Sequence, residues 1–314
     1  MSNSAVPSSR ESALESYGQI AEAFAKSFQE YQVKRNWSTP VLKASQSEAF
    51  LFYTLKMEEA YCRAATGLSD ELEIARQRYT DVVELFPQAP IAWLRLGQVS
   101  SKLTKYSEAV QQFQRAIELA DQGGVIEEFL MTSDQSRYLR ENVYRLLGYA
   151  HWRIFRKGLE SGALEAGEDF LDSLVSACRV TMSGFDFANA PGDVRLLNNL
   201  VYFYNEVSEL SEAQQSMLRT RLPGLGEVQG LFDKLVASVK IGVEVSVELL
   251  DTIVVVGPRL ERHDVALAAA RRVFHLIHVA RAELGLTLRP EVAEKAGNNA
   301  YRLLFPEPVA PAAL

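Results

Sequence analysis

Residues 75–97 read Ala75-Arg-Gln-Arg-Tyr79-Thr-Asp-Val82-Val-Glu-Leu85-Phe-Pro87-Gln-Ala-Pro90-Ile-Ala-Trp93-Leu-Arg-Leu96-Gly97, and they carry the architecture of the chain. Ala75, Tyr79, Val82, Leu85 and Pro87 are answered 34 residues later by Ala109, Phe113, Ala116, Leu119 and Asp121, at the same spacings. Small and aromatic residues at helical offsets, repeated at a fixed period of this length, predict stacked helix–turn–helix units. Trp93-x-x-Leu96-Gly97 lies between the two copies and opens the second unit. A stack of such units offers a long surface rather than a pocket, so the expected task is holding another molecule.

Looser copies follow. Tyr144-x-x-Leu147-Gly148 restates the first-helix pattern, but Ala166-x-x-x-Phe170 arrives six residues late, which predicts an enlarged turn over Lys157–Ala163. Leu197-x-x-Leu200-Val201-x-x-Tyr204 keeps the spacing without the glycine. Leu210-Ser-Glu-Ala213, continuing to Met217, echoes Tyr106-Ser-Glu-Ala109 and Phe113, and Ala270-x-x-x-Phe274-x-x-Ile277 reads as the second helix of a terminal unit. Gly97 and Ala109 are small, which lets paired helices close up, while Trp93 and Phe113 are expected to fill the layer between units.

These residues resemble the tetratricopeptide repeat family. Its first helix bears an aromatic-x-x-Leu-Gly pattern, matched by Trp93, Leu96 and Gly97, and its second bears Ala-x-x-x-Phe-x-x-Ala, matched by Ala109, Phe113 and Ala116. The resemblance covers residues 50–285 and is specific over 70–121. It implies that first helices supply the inner wall of a superhelix, with residues two before and one, five and eight after the first signature position facing inward. Carried onto this chain, Trp93 gives Ile91, Leu94, Gln98 and Ser101. Tyr144 gives Asn142, Arg145, Tyr149 and Trp152, and Leu197 gives Arg195, Asn198, Tyr202 and Asn205. The last two sets are the candidate partner-binding groove. Asn holds a peptide's amides, Arg pairs with carboxylates, and Tyr and Trp supply rigid contact area. The competing view makes them ordinary solvated helix faces. The lysines and asparagines of the family's carboxylate clamp have no match here, so chaperone-tail binding is not implied.

Composition bounds the partner. Lys plus Arg is 33 against 40 Asp plus Glu, a net charge of −7 in 314 residues. Phosphate-backbone binding draws on concentrated positive charge, so nucleic acid is not expected. A hydrophobic fraction of 47% is ample for a packed interior. The two cysteines, Cys62 and Cys178, form no CxxC or Cys/His cluster and read as small buried apolar residues of a reducing compartment. No apolar signal stretch opens the chain and no run spans a bilayer, so a cytoplasmic protein is expected.

Residues 1–10 read as a disordered leader and 305–314 as a proline-broken flexible tail. From 11 to 33, Leu14, Tyr17, Ala21, Phe24, Phe28 and Tyr31 form one apolar stripe. It docks on the rest of the fold or forms a short homodimer seam. After the break at Asn36–Pro40, a helix is expected to carry Phe50, Tyr53, Met57, Tyr61 and Ala64 on one face and to end near Gly67. Ser69-Asp70 would cap the next helix, Pro87 would stop it, and Pro90 would open the one after. Val243–Glu248 and Ile253–Val256 favour a strand on local propensity, but nothing offers strands to pair with, so 238–258 reads as helix.

Sequence support for catalysis is slight. Gly224-x-Gly226-x-x-x-Gly230 has one residue too many for a dinucleotide loop and reads as a turn after Pro223. His275 and His278, with His263 and Asp264 upstream, lack a third ligand at a metal-site spacing and read as solvated or capping residues. Neither a metal nor a cofactor is expected. The sequence therefore predicts an all-α, right-handed α-α superhelix of about a dozen helices. A single helical domain would run from 11 to 304, acting as a non-catalytic scaffold that binds another protein or peptide segment. The alternative is an enzyme or a small-molecule or peptide sensor using the enlarged 121–140 and 222–260 segments. A peptide-responsive transcription regulator would need a basic helix-turn-helix, and the N-terminal region offers none.

Overall fold

The computed structural model describes residues 47–121, 133–161, 169–188, 194–222, 227–240, 246–280 and 290–305, together with Gln19. Among these residues every regular element is a helix. In chain order they are α1 (Ser47–Thr66), α2 (Ser69–Leu85), α3 (Pro90–Lys102), α4 (Tyr106–Asp121), α5 (Ser133–Glu160) and α6 (Asp169–Ala188). Then come α7 (Val194–Val207), α8 (Glu212–Arg221), α9 (Val228–Lys240), α10 (Val247–Val256), α11 (His263–His275) and α12 (Pro290–Leu304). None of the described helices is long and apolar enough to cross a membrane. The chain divides into two compact units, Met1–Ser173 and Leu174–Leu314, with α6 contributing to both. The leader, the 11–33 stripe, the 36–40 break, Gly224, Gly226 and the tail beyond Phe305 lie outside the described residues.

In the first unit α1 to α4 each pack on the next helix in sequence, and α3 also packs on α5. Packing confined to near neighbours is the arrangement of a stacked-repeat protein. Its core is built from small residues set among aromatics: Ala60, Ala64, Ala75 and Ala92 lie beside Tyr79 and Phe86. Local signals set the ends. Gly67, at φ +76, turns the chain out of α1 in the left-handed conformation that glycine adopts without strain. α2 stops at Leu85, ahead of Pro87, and Pro90 occupies the first turn of α3.

The repeat's tightest contacts involve glycines without side chains to hold the helices apart. Gly97 of α3 meets Phe113 of α4, and a Cβ added at Gly158 of α5 would lie 2.2 Å from the ring of Phe170 of α6. The second pair corrects the expected turn at Lys157–Ala163: α5 continues to Glu160 because Gly158 is wanted inside the helix, under Phe170. Three further expectations are corrected. Tyr61 is 51% exposed, and α1 buries Ala60 and Ala64 beside the partly buried Tyr53 and Met57. α2 starts with Leu68 at its N-cap and no side-chain cap, because Ser69 is already helical. Trp93 is half-buried at the rim of the core, its Nε1 donating to the Pro87 carbonyl at 3.0 Å.

In the second unit α9 packs on α7, α10 on α7 and α9, α11 on α10, and α12 on α10 and α11. Ile253, Val254 and Val256 are helical and buried in α10. Burial on nearly every side decides against their strand propensity. Two echoes of the repeat fail here. Ser211 caps α8 through a capping box with Gln214, and on this helix Leu218 is buried while Ala213 and Met217 are exposed. On α11 the buried residues are Ala266, Ala269, Ala270 and Val273, leaving Phe274 37% exposed. A Cβ added at Gly257 would meet Ala266 Cβ at 2.9 Å, closer than the Phe232 ring at 3.5 Å.

Candidate partner-binding faces

The two sets of candidate residues lie in different units. Asn142, Arg145, Tyr149 and Trp152 recur at steps of three and four along α5, which places them on one face of that helix. Their side chains order one another. Arg145 Nη2 donates to Asn142 Oδ1 at 3.1 Å, and the Tyr149 and Trp152 rings lie 5.5 Å apart, tilted by 41°. Asn142 and Trp152 are buried, while Tyr149 is 38% exposed. One turn on, Arg153 Nε donates to Tyr106 Oη of α4 at 3.0 Å, and its guanidinium lies 5.2 Å from the Tyr106 ring and 5.7 Å from that of Trp152. The α5 face is thus an exposed tyrosine backed by a buried tryptophan, with the Arg153 guanidinium against that tryptophan. An exposed ring that cannot swing freely offers contact area at little entropic cost.

On α3, Leu94 is fully buried, so this inward position of the resemblance is closed to a ligand. Sequence reasoning passed over Arg95 and read Tyr61 only as part of an apolar helix face. The Arg95 guanidinium lies 5.4 Å over the exposed Tyr61 ring, and its Nη1 donates to Gln98 Oε1 at 2.9 Å. Neither residue falls on a signature offset, so the 34-residue period carried no signal for them.

In the second unit Arg195 is exposed, Asn198 and Tyr202 are half-buried and Asn205 is buried on α7. Asn198 Oδ1 is buried without a hydrogen-bond partner among the described residues. The chain's own C-terminal helix meets Tyr202: Lys295 Nζ of α12 lies 3.5 Å from Tyr202 Oη and 5.2 Å from its ring centroid. Burial pushes the Tyr202 hydroxyl above the ordinary tyrosine range, with Lys295 acting in the other direction. Beside it Asn299 donates to Asp251 Oδ1 at 2.8 Å, and burial raises the Asp251 carboxyl above its usual range. This face is therefore shared between α7 and a polar seam from α10 to α12.

Among the described residues no group of three or more His, Cys, Asp or Glu side chains is placed to hold a metal ion. His275 and His278 are exposed, and the His278 ring stacks 4.3 Å from Phe274. Cys178 is buried and its thiol pushed up by that burial, whereas Cys62 is half-buried.

No family model matches the chain, and no curated protein matches its sequence. Solved structures similar to it include that described as a functional characterization of Pseudomonas aeruginosa pilF, at 11% identity and TM-score 0.42, covering 85% of this chain and 93% of that one. A second is the C-terminal part of a TPR repeat-containing protein from Cytophaga hutchinsonii, at 13% identity and TM-score 0.25, covering 96% and 95%. A third is Naa15/Naa10 bound to HypK-THB, at 14% identity and TM-score 0.23, covering 94% of this chain and 43% of that one. The likeness to repeat proteins is visible in the chain's own helix pairs, above all α3 and α4 joined at Gly97 and Phe113.

Proposed function

We propose that this protein is a non-catalytic scaffold that holds a segment of a partner protein against the Asn142–Trp152 face of α5. The α7 face around Arg195 and Asn198, in the second unit, is a further contact surface. The reading calls for no cofactor, metal or nucleic acid. The observation that carries it is Tyr149, a large side chain left exposed at 38% and braced by the buried Trp152 at 5.5 Å. Rigid aromatic anchors with an arginine alongside are the residues that dominate measured protein–protein affinities.

The test compares tagged wild-type protein with two double variants in extract of its native cells. Tyr149→Ala/Arg145→Ala should lose a stoichiometric partner chain that both the wild type and Gln111→Ala/Arg115→Ala retain. A partner kept by all three proteins places binding elsewhere. A tightly bound metabolite with no partner chain replaces the scaffold with the sensor.

A further inference from the structure

The second unit carries a further surface, on the exposed side of α11. Residues 265–280 contain Arg271, Arg272, His275 and His278 and no acidic residue, in a chain with 40 Asp and Glu. All four are exposed, and helical spacing sets Arg271, His275 and His278 on one line, with Arg272 and Phe274 on its flanks. The buried residues Ala266, Ala269, Ala270 and Val273 occupy the opposite side. Two other cations of this unit are engaged: Arg259 pairs with Glu209 at 2.6 Å, and Arg262 pairs with Asp233. Among the described residues, the side chains of Arg271 and Arg272 make no ion pair or hydrogen bond. The apolar element is Phe274, which stays out of the core and stacks on His278 at 4.3 Å. The helix continues there into a π turn over Leu276–Ala280, a form rare in proteins and frequent at functional sites.

We propose that this face of α11 docks an acidic segment of a protein partner, whose carboxylates meet Arg271, Arg272 and His275 while an apolar side chain covers Phe274 and His278. Charge complementarity selects the occupant. The patch spans two helical turns, about 10 Å, enough for a few carboxylates. A polyanion such as nucleic acid would extend past it onto a chain of net charge −7 and be repelled. A short acidic segment can end where the patch ends and also supply the apolar side chain that Phe274 needs. Guanidinium groups recognise carboxylates bidentately, which suits adjacent arginines on a helix face.

The experiment uses the full chain and four probes: a short fluorescent peptide alternating Glu and Leu, its Gln-for-Glu twin, a single-stranded oligonucleotide and vesicles containing phosphatidylserine. The Glu peptide should bind most tightly, and its affinity should fall as salt is raised. Arg271→Glu/Arg272→Glu should weaken it by about tenfold or more with the melting temperature nearly unchanged, because both side chains are exposed, and Phe274→Ser should weaken it by several-fold. Arg219→Glu on α8 should leave binding as in the wild type. The proposal is overturned if the Glu peptide does not bind or the Gln twin binds equally well. It is equally overturned if charge reversal changes nothing, or if the oligonucleotide or vesicles bind more tightly.

Discussion

The ring of Phe113 occupies the space that a side chain at Gly97 would need: a Cβ there would lie 2.6 Å from Phe113 Cε1 and 2.7 Å from Cδ1. Phe113 is fully buried, so its ring has little room to retreat. Gly97→Ala should therefore lower stability by about 1–3 kcal/mol, although alanine is the better helix former. Gly158→Ala should do the same against Phe170. Trimming the ring tests the cause: in a urea-denaturation cycle, Phe113→Leu should relieve much of the Gly97→Ala penalty. Additive effects would separate the glycine from the ring.

Phe113 and Trp93 carry the two aromatic signature positions but do different work. Phe113→Ala empties a closed core site and should cost about 3–5 kcal/mol. Trp93→Ala removes a half-buried ring and one hydrogen bond to the Pro87 carbonyl, and should cost about 2 kcal/mol. Denaturation midpoints in the reverse order would contradict the placement of these residues.

Glu59 of α1 is fully buried beneath three cations, with Arg78 at 3.1 Å, Arg63 at 3.2 Å and Lys56 at 3.8 Å. It stands 34 residues before Trp93, where the repeat elsewhere places its aromatic. Removing the carboxylate leaves clustered positive charge near the core, so Glu59→Ala should cost about 3–5 kcal/mol. Glu118→Ala, which breaks an exposed pair with Arg115, should change stability by about 0–1 kcal/mol. Thermal melts of the two variants check the contrast.

Burial raises the Asp251 carboxyl above its ordinary value, while the Asn299 hydrogen bond and Lys295 act the other way. A folded-state pKa above the unfolded one means that the native protein binds more protons in that interval. The contribution of this group to stability is therefore full below the unfolded value of 3.8 and is lost as pH rises through the raised folded value. Asp251→Asn keeps an acceptor for Asn299 and removes the titration. The variant should be more stable than the wild type at neutral pH, and the difference should shrink on acidification. A difference independent of pH from 3 to 7 would remove Asp251 as its source.

What was legible in the sequence follows the packing. Where a small residue must sit under a ring, as Gly97 does under Phe113, sterics fix residue type and spacing, and the 34-residue period exposes them. Where the contact is met by another pair, the period misleads. The glycine facing Phe170 is Gly158, well past the Tyr144–Gly148 signature, and α11 buries Val273 in place of Phe274. The candidate site was legible only as helix faces. Offsets along one helix place Tyr149 beside Trp152, but the reach of Lys295 to Tyr202 depends on tertiary packing over 93 residues. No local pattern encodes such a contact.

The scaffold assignment is tested most directly by calorimetry with the partner chain identified in extract, titrated into wild type, Tyr149→Ala/Arg145→Ala and Gln111→Ala/Arg115→Ala. Loss of the α5 anchor should cost about 2 kcal/mol or more, roughly a thirtyfold rise in Kd, with the melting temperature nearly unchanged. The α4 variant should bind as the wild type does. Equal affinities for all three proteins would contradict the account and move the binding surface off α5.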